Sequence, residues 1–214
     1  MRKYDTCFFE RYAKISLESL LGPEFGSLEV VDRPDLQSRG DNSIGIEVTR
    51  AMEESKDAAK DLLKEISGIA QKSDMQHIVD NGYGYGLQVG RYIGVKELAY
   101  WSTALPLRRI LRSKVSKVCG GFYGSYTKMG LFVFCKDALT EEDILKAIKF
   151  VMDLQRGYET KYNRLYLSEV DRLNVCNLED DINDEYRLTV FPVDKESRKE
   201  FYLRALREQF ENAR

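Results

Sequence analysis

Apolar residues recur at helical spacing over residues 6–21, at Phe9, Tyr12, Ala13, Leu17, Leu20 and Leu21, and Gly22-Pro23 ends the run. Residues 27–38 read as extended through Leu28, Val30 and Val31, and Pro34 biases Arg33 before it toward extended backbone. Gly40-Asp41-Asn42 marks a turn. Ile44–Thr49 then alternates as a strand does. Ile44, Ile46 and Val48 share one face, and Gly45, Glu47 and Thr49 share the other. Residues 51–72 carry a helical stripe of Ala59, Leu62, Leu63, Ile66, Ile69 and Ala70, with Lys56, Lys60 and Lys64 on the charged face. Residues 80–95 are rich in Gly and Tyr. They match neither phosphate-binding glycine pattern and read as a loop or irregular hairpin.

Pro106 opens a helix over 105–118 that buries Leu107, Ile110, Leu111, Val115 and Val118. Met129–Cys135 is a continuous apolar run and predicts a strand buried on both faces. Thr140-Glu141-Glu142-Asp143 resembles a capping box, and the helix after it turns Ile144, Leu145, Ile148, Val151 and Met152 inward before Gly157. Strands are expected at Leu165–Val175 and Tyr186–Val193, around an acidic turn at 179–185, and a last helix from Lys195 to Phe210. Helices alternating with strands predict an α/β fold, a mixed central sheet flanked by helices.

Composition agrees with one folded domain over residues 1–214. Hydrophobic residues make up 43% of the chain and charged residues 32%, a globular balance. The net charge of −2 excludes a global electrostatic grip on nucleic acid and leaves room for a local one. Cys7, Cys119, Cys135 and Cys176 form no C-x-x-C pair, and with the single His77 they give no zinc spacing, so reduced thiols in a cytoplasmic protein are expected. Arg2, Lys3, Asp5 and Glu10 interrupt any signal-peptide apolar region, and no run is long enough to span a membrane.

The chemistry-bearing candidates are acids near the first strands and bases on the second half of the chain. A hairpin returning from Asp35 to Glu47 brings two carboxylates together. The structural alternative is that Asp35 opens a turn and Glu47 pairs with Arg50 or Arg33. Glu10 and Glu18 lie on the first helix. From Leu98 to Lys136 no acid occurs, and Arg108, Arg109, Arg112, Lys114 and Lys117 cluster on one helix, either as a phosphate-binding face or as a solvated one. Tyr123 and Tyr126 follow it, as base-stacking candidates or as packing residues.

Pro34-Asp35 followed by Gly45-Ile46-Glu47-Val48-Thr49 resembles the PD-(D/E)XK nuclease superfamily, the restriction-endonuclease-like fold, in its E-x-T variant. The resemblance covers roughly residues 8–136. It implies a nuclease-like core over about 8–158, with a C-terminal strand-helix elaboration over about 159–214. It also implies hydrolysis of DNA or RNA phosphodiester bonds with Mg²⁺ (or Mn²⁺), held by Asp35, Glu47 and the Val48 carbonyl. Glu10 is the candidate helix acid, with Glu18 its rival. The family's lysine falls at Thr49, which has a hydroxyl but no charge. Lys114 or Lys117, then Lys56, are the cations able to compensate. Without one, the chain is an inactive module that binds nucleic acid or a protein partner. Nucleic acid is the expected partner, and a homodimer is compatible with the sequence.

Overall fold

The computed structural model describes residues 7–41, 43–51, 106–136, 138–180, 182–183 and 186–211. The helix expected over 51–72 with Lys56, His77 and the Gly-rich stretch 80–95 lie outside those residues. In chain order the elements are α1 (Phe8–Leu21), a 3-10 turn (Pro23–Phe25), β1 (Glu29–Val30), β2 (Leu36–Gln37), β3 (Ile44–Ala51) and α2 (Pro106–Cys119). They continue with β4 (Lys128–Cys135), α3 (Glu141–Leu154), β5 (Arg164–Ser168), β6 (Arg172–Asn177), β7 (Leu188–Pro192) and α4 (Lys195–Glu211).

The seven strands form one mixed sheet in the order β1 to β7. The β3–β4 and β4–β5 pairs are parallel, and the other neighbours are antiparallel. Strand β4 reads as an unbroken apolar run because it lies between two parallel neighbours and is covered on both faces. Phe132 and Phe134 pack with Phe8, Phe9, Tyr12, Phe201 and Tyr202 of α1 and α4. Leu131, Val133 and Cys135 pack with Leu107, Leu111, Val115, Ile144 and Ile148 of α2 and α3. The result is a three-layer α/β sandwich, each helix burying its apolar stripe on the sheet. The alternation of β3 follows the same division: Ile46 and Val48 face α1, and Ala51 faces α2.

The C-terminal helix closes back on the first. Arg11 Nε donates to the Ala205 carbonyl (3.1 Å), and Phe8 meets Tyr202 edge-on at 5.6 Å between ring centroids. At the start of α3, Thr140 and Asp143 form the expected capping box, with Asp143 N–H donating to Thr140 Oγ1 at 3.1 Å. Among the described residues no helix is long and apolar enough to cross a membrane.

Three local expectations are corrected. Leu165–Val175 is not one strand but the β5–β6 hairpin, turned at Glu169–Asp171 and closed by Glu169 N–H donating to the Arg172 carbonyl (2.9 Å). The Glu169 carboxylate stabilises that turn by accepting from Leu139 N–H (2.8 Å) and Asn174 Nδ2 (2.6 Å), contacts that alternation along the chain does not reveal. Leu145 is 42% exposed, because the buried stripe of α3 runs through Ile144, Ala147, Ile148 and Val151. Arg33 is not extended but has φ of 66°, since the chain must reverse within the short β1–β2 connection, where Val31 N–H donates to the Asp35 carbonyl (3.0 Å).

Gly45 has a packing role. A Cβ built on it would lie 2.7 Å from the Tyr126 ring, which covers β3 on the α2 side. Gly45→Ala is expected to cost about 1–3 kcal/mol through displacement of that ring, read as a lowered midpoint in thermal or urea unfolding. An unchanged midpoint would show that the ring moves off β3 without cost.

Candidate functional site

Register creates the site. Leu36 lies opposite Ile46 and Gln37 opposite Gly45. One step further along the same ladder places Asp35 beside Glu47. Directly opposed residues of an antiparallel pair share a face, with Cβ atoms about 5 Å apart. The expected return of the chain from Asp35 to Glu47 is therefore what β2 and β3 provide, and it sets two like charges side by side.

A backbone amide holds the first carboxylate in place. Val48 N–H donates to Asp35 Oδ2 at 2.7 Å, across the gap where the β2–β3 ladder has ended. The N–H and C=O of one strand residue leave the same edge, so the Val48 carbonyl also opens toward Asp35. Burial is the main force raising the Asp35 pKa to about 6; Glu47 raises it further, while the Val48 amide and Lys114 act against the rise.

The second carboxylate has a cation. Glu47 is 7% exposed, and Lys114 Nζ donates to its Oε1 at 2.5 Å. Helix α2 delivers that ammonium because Leu111, Val115 and Val118 bury its underside on the sheet, and Lys114 borders this stripe. The alternative pairings of Glu47 with Arg50 or Arg33 are replaced by this one. Arg50 lies over the Phe9 ring (4.7 Å), and Arg33 over Phe122 (5.2 Å) and beside Asp32 (3.2 Å). Thr49 follows on the same strand face, half-buried.

Glu10 sits in the first turn of α1. A helix N-terminus favours a carboxylate, yet the Glu10 pKa is raised to about 7: desolvation comes first, and Asp35 adds to it, against Arg50 and Arg11. Its Oε2 is buried and has no hydrogen-bond partner among the described residues. Glu18, the rival, is engaged elsewhere, accepting from Arg204 Nη2 at 2.6 Å. Glu10 is thus the acid of α1 that feels the pair.

Two tyrosines that sequence reasoning did not place beside Glu47 complete the wall. Burial pushes the Tyr123 hydroxyl far above its usual range, and Glu47 adds to the shift. Burial likewise raises Tyr162, followed by Tyr123 and Glu47. Among the described residues the Tyr123 hydroxyl makes no hydrogen bond of normal length, although Glu47 and Tyr162 are near enough to shift it. Tyr162 Oη donates to the Lys114 carbonyl at 3.4 Å. Tyr162 follows a polar segment and offers no sequence signal of proximity to residue 47. Tyr123 is buried and Tyr126 covers Gly45, so both are packing residues and neither is an open stacking surface.

The basic helix divides its cations. Lys114 goes to Glu47, and Lys117 lies over Phe122 (5.2 Å) instead of reaching the acids. Arg108 and Arg112 lie over Phe150 of α3, at 4.7 and 5.7 Å, and Arg109 is exposed.

The donor set is all oxygen and negatively charged, which suits a hard cation such as Mg²⁺ or Mn²⁺ and not zinc. Among the described residues no three His, Cys, Asp or Glu side chains cluster closely enough to hold a metal together. Mg²⁺ needs fewer, since it usually takes one or two carboxylates and keeps several waters. The buried Glu10 Oε2 lies beside groups coupled to Asp35 and, among the described residues, lacks the polar partner that buried atoms ordinarily have. Asp35, Glu47 and the Val48 carbonyl therefore fit a hydrated divalent cation. No family model, curated protein or solved structure matches the chain.

Proposed function

We propose that the chain is a divalent-metal-dependent nuclease with a restriction-endonuclease-like core, hydrolysing phosphodiester bonds of DNA or RNA. The observation that carries the reading is the register of β2 and β3, which sets Asp35 beside Glu47 at a ladder end with a lysine ammonium on the second acid. The order helix, three strands, basic helix, strand also supports it. Asp35, Glu47 and the Val48 carbonyl would hold Mg²⁺ or Mn²⁺, which when bound offsets phosphate charge and acidifies a water.

The remaining roles belong to the chain. Lys114 takes the part left vacant by Thr49: among the described residues its ammonium is the one paired with Glu47, and it can share a proton with a phosphate oxygen. Thr49 offers a hydroxyl on the same strand face. Glu10, with a pKa near neutrality, is suited to take or return a proton at Oε2. None of the four cysteines forms a disulfide, in keeping with a cytoplasmic location.

Calorimetric titration with Mn²⁺ is expected to give heat with the wild-type protein and none with Asp35→Ala or Glu47→Ala, and cleavage of labelled oligonucleotides should vanish with the heat. If the metal-loaded protein cleaves neither DNA nor RNA, single- or double-stranded, the enzymatic reading fails.

One observation favours a second reading. Lys114 already neutralises Glu47, and residue 49 brings no second charge, as in an inactive module that binds nucleic acid or a protein partner. In that case the wild-type protein gives no heat with Mg²⁺ or Mn²⁺.

A further inference from the structure

Phe122 is 48% exposed, although its neighbours Tyr123 and Val118 are buried. It follows the end of α2, where Phe122 N–H donates to the Lys117 carbonyl at 3.1 Å. Two cations from different parts of the chain converge on its ring. Arg33 comes from the β1–β2 turn and Lys117 from the last turn of α2, each 5.2 Å from the ring centroid. Tyr123 braces the ring edge-on, at 5.2 Å and 88°.

All three side chains adjoin the acid site through the chain itself. Arg33 precedes Asp35 by two residues. Lys117 follows Lys114 by three, so the two lysines share a helix face. Tyr123, next to Phe122, is the residue whose hydroxyl feels Glu47.

From this juxtaposition we infer that Phe122, Arg33 and Lys117 form a platform for single-stranded nucleic acid, on which one unpaired base stacks while the two cations hold its phosphates. The proposal deepens the nuclease reading by naming the state of the strand, and rests on it only for what happens after binding. A duplex hides its base faces in its own stack, whereas an unpaired strand offers a π-face at every nucleotide. Base–aromatic stacking is stronger than an exposed cation–π contact, so a base displaces the cations from the ring and frees them for the adjoining phosphates. A protein partner would instead need a wider apolar surface than one ring flanked by charges.

The test is fluorescence anisotropy of labelled dT15, U15 and a 15-base-pair duplex in EDTA, where no metal-dependent chemistry runs. The wild-type protein is expected to bind either single strand at least ten-fold more tightly than the duplex. Phe122→Ala should lose about ten-fold on single strands and change duplex binding little, and Phe122→Trp should retain the affinity. Arg33→Gln and Lys117→Gln should each reduce the salt dependence of single-strand binding by about 0.7 in log–log slope. Equal affinity for duplex and single strand, or a Phe122→Ala protein with wild-type single-strand affinity, overturns the platform and leaves the metal site standing. A difference between dT15 and U15 identifies which nucleic acid the platform takes.

Discussion

Lys114→Met is expected to lower folding stability by about 3 kcal/mol and to abolish cleavage, while divalent metal restores most of the stability and none of the activity. Glu47 is 7% exposed, and Lys114 Nζ at 2.5 Å is its ion-pair partner. Removing one member of such a pair strands a buried charge, which costs about 3–5 kcal/mol. Methionine preserves the stem that packs along α2, so the loss reports the charge and not a cavity. Lys114 also holds down the Asp35 pKa, so the variant carries two mutually repelling acids without the cation paired with Glu47. Millimolar Mn²⁺ should then stabilise Lys114→Met more than it stabilises the wild type, since the metal replaces the missing charge and ligand binding to the folded state adds to stability by mass action. The double variant Lys114→Met with Glu47→Gln should recover stability without metal, because neither partner is left charged. Urea unfolding with and without Mn²⁺ measures all three proteins. An identical Mn²⁺ response in wild type and Lys114→Met would remove the metal from this site.

The fold was legible wherever a periodic stripe met a covered face. The apolar run Met129–Cys135 and the stripes of α1, α2 and α3 fall within a few residues of the observed elements. The alternation of Ile44–Thr49 assigned Glu47 and Thr49 to one strand face, and the resemblance made Lys114 or Lys117 the candidate cation for that face. Periodicity could not choose between Lys114 and Lys117, because both lie near the apolar stripe. The choice is made by Phe122, which engages Lys117, and by the half-buried stem that brings Lys114 to Glu47. Long-range partners stayed hidden for the same reason. Nothing local ties Tyr162 to residue 47 or Arg204 to Glu18, contacts that exist only once β5 and α4 have docked. The β5–β6 turn was missed because its polar residues are satisfied by tertiary hydrogen bonds, which removes the usual glycine or proline signal. Phe122 was missed because residue type alone does not separate an exposed aromatic from the buried one beside it.

Asp35→Asn and Glu10→Gln are each expected to make the metal-free protein more stable than the wild type at pH 8, and indistinguishable from it near pH 3. Burial raises the Asp35 carboxyl from its ordinary value of 3.8 to about 6 and the Glu10 carboxyl from 4.5 to about 7. A group whose folded pKa lies above its unfolded one binds its proton more tightly in the folded state. Its contribution is fully present below the unfolded value and is lost as pH rises through the folded value. The wild type should therefore lose stability at Asp35 between about pH 4 and 6, and at Glu10 between about pH 4.5 and 7, relative to the amide variants. Solvent reaches both carboxylates in part, so a loss of about 1–2 kcal/mol at each is expected, smaller than the full shifts would give. The amides cannot ionise and escape the loss. Divalent metal should reverse the order at pH 8, since the wild type gains a ligand that Asp35→Asn can no longer hold. Urea midpoints from pH 3 to 8, with EDTA and with Mn²⁺, decide the matter: if Asp35→Asn is less stable than the wild type at pH 8 in EDTA, Asp35 is a structural acid held by the Val48 amide and the metal assignment falls.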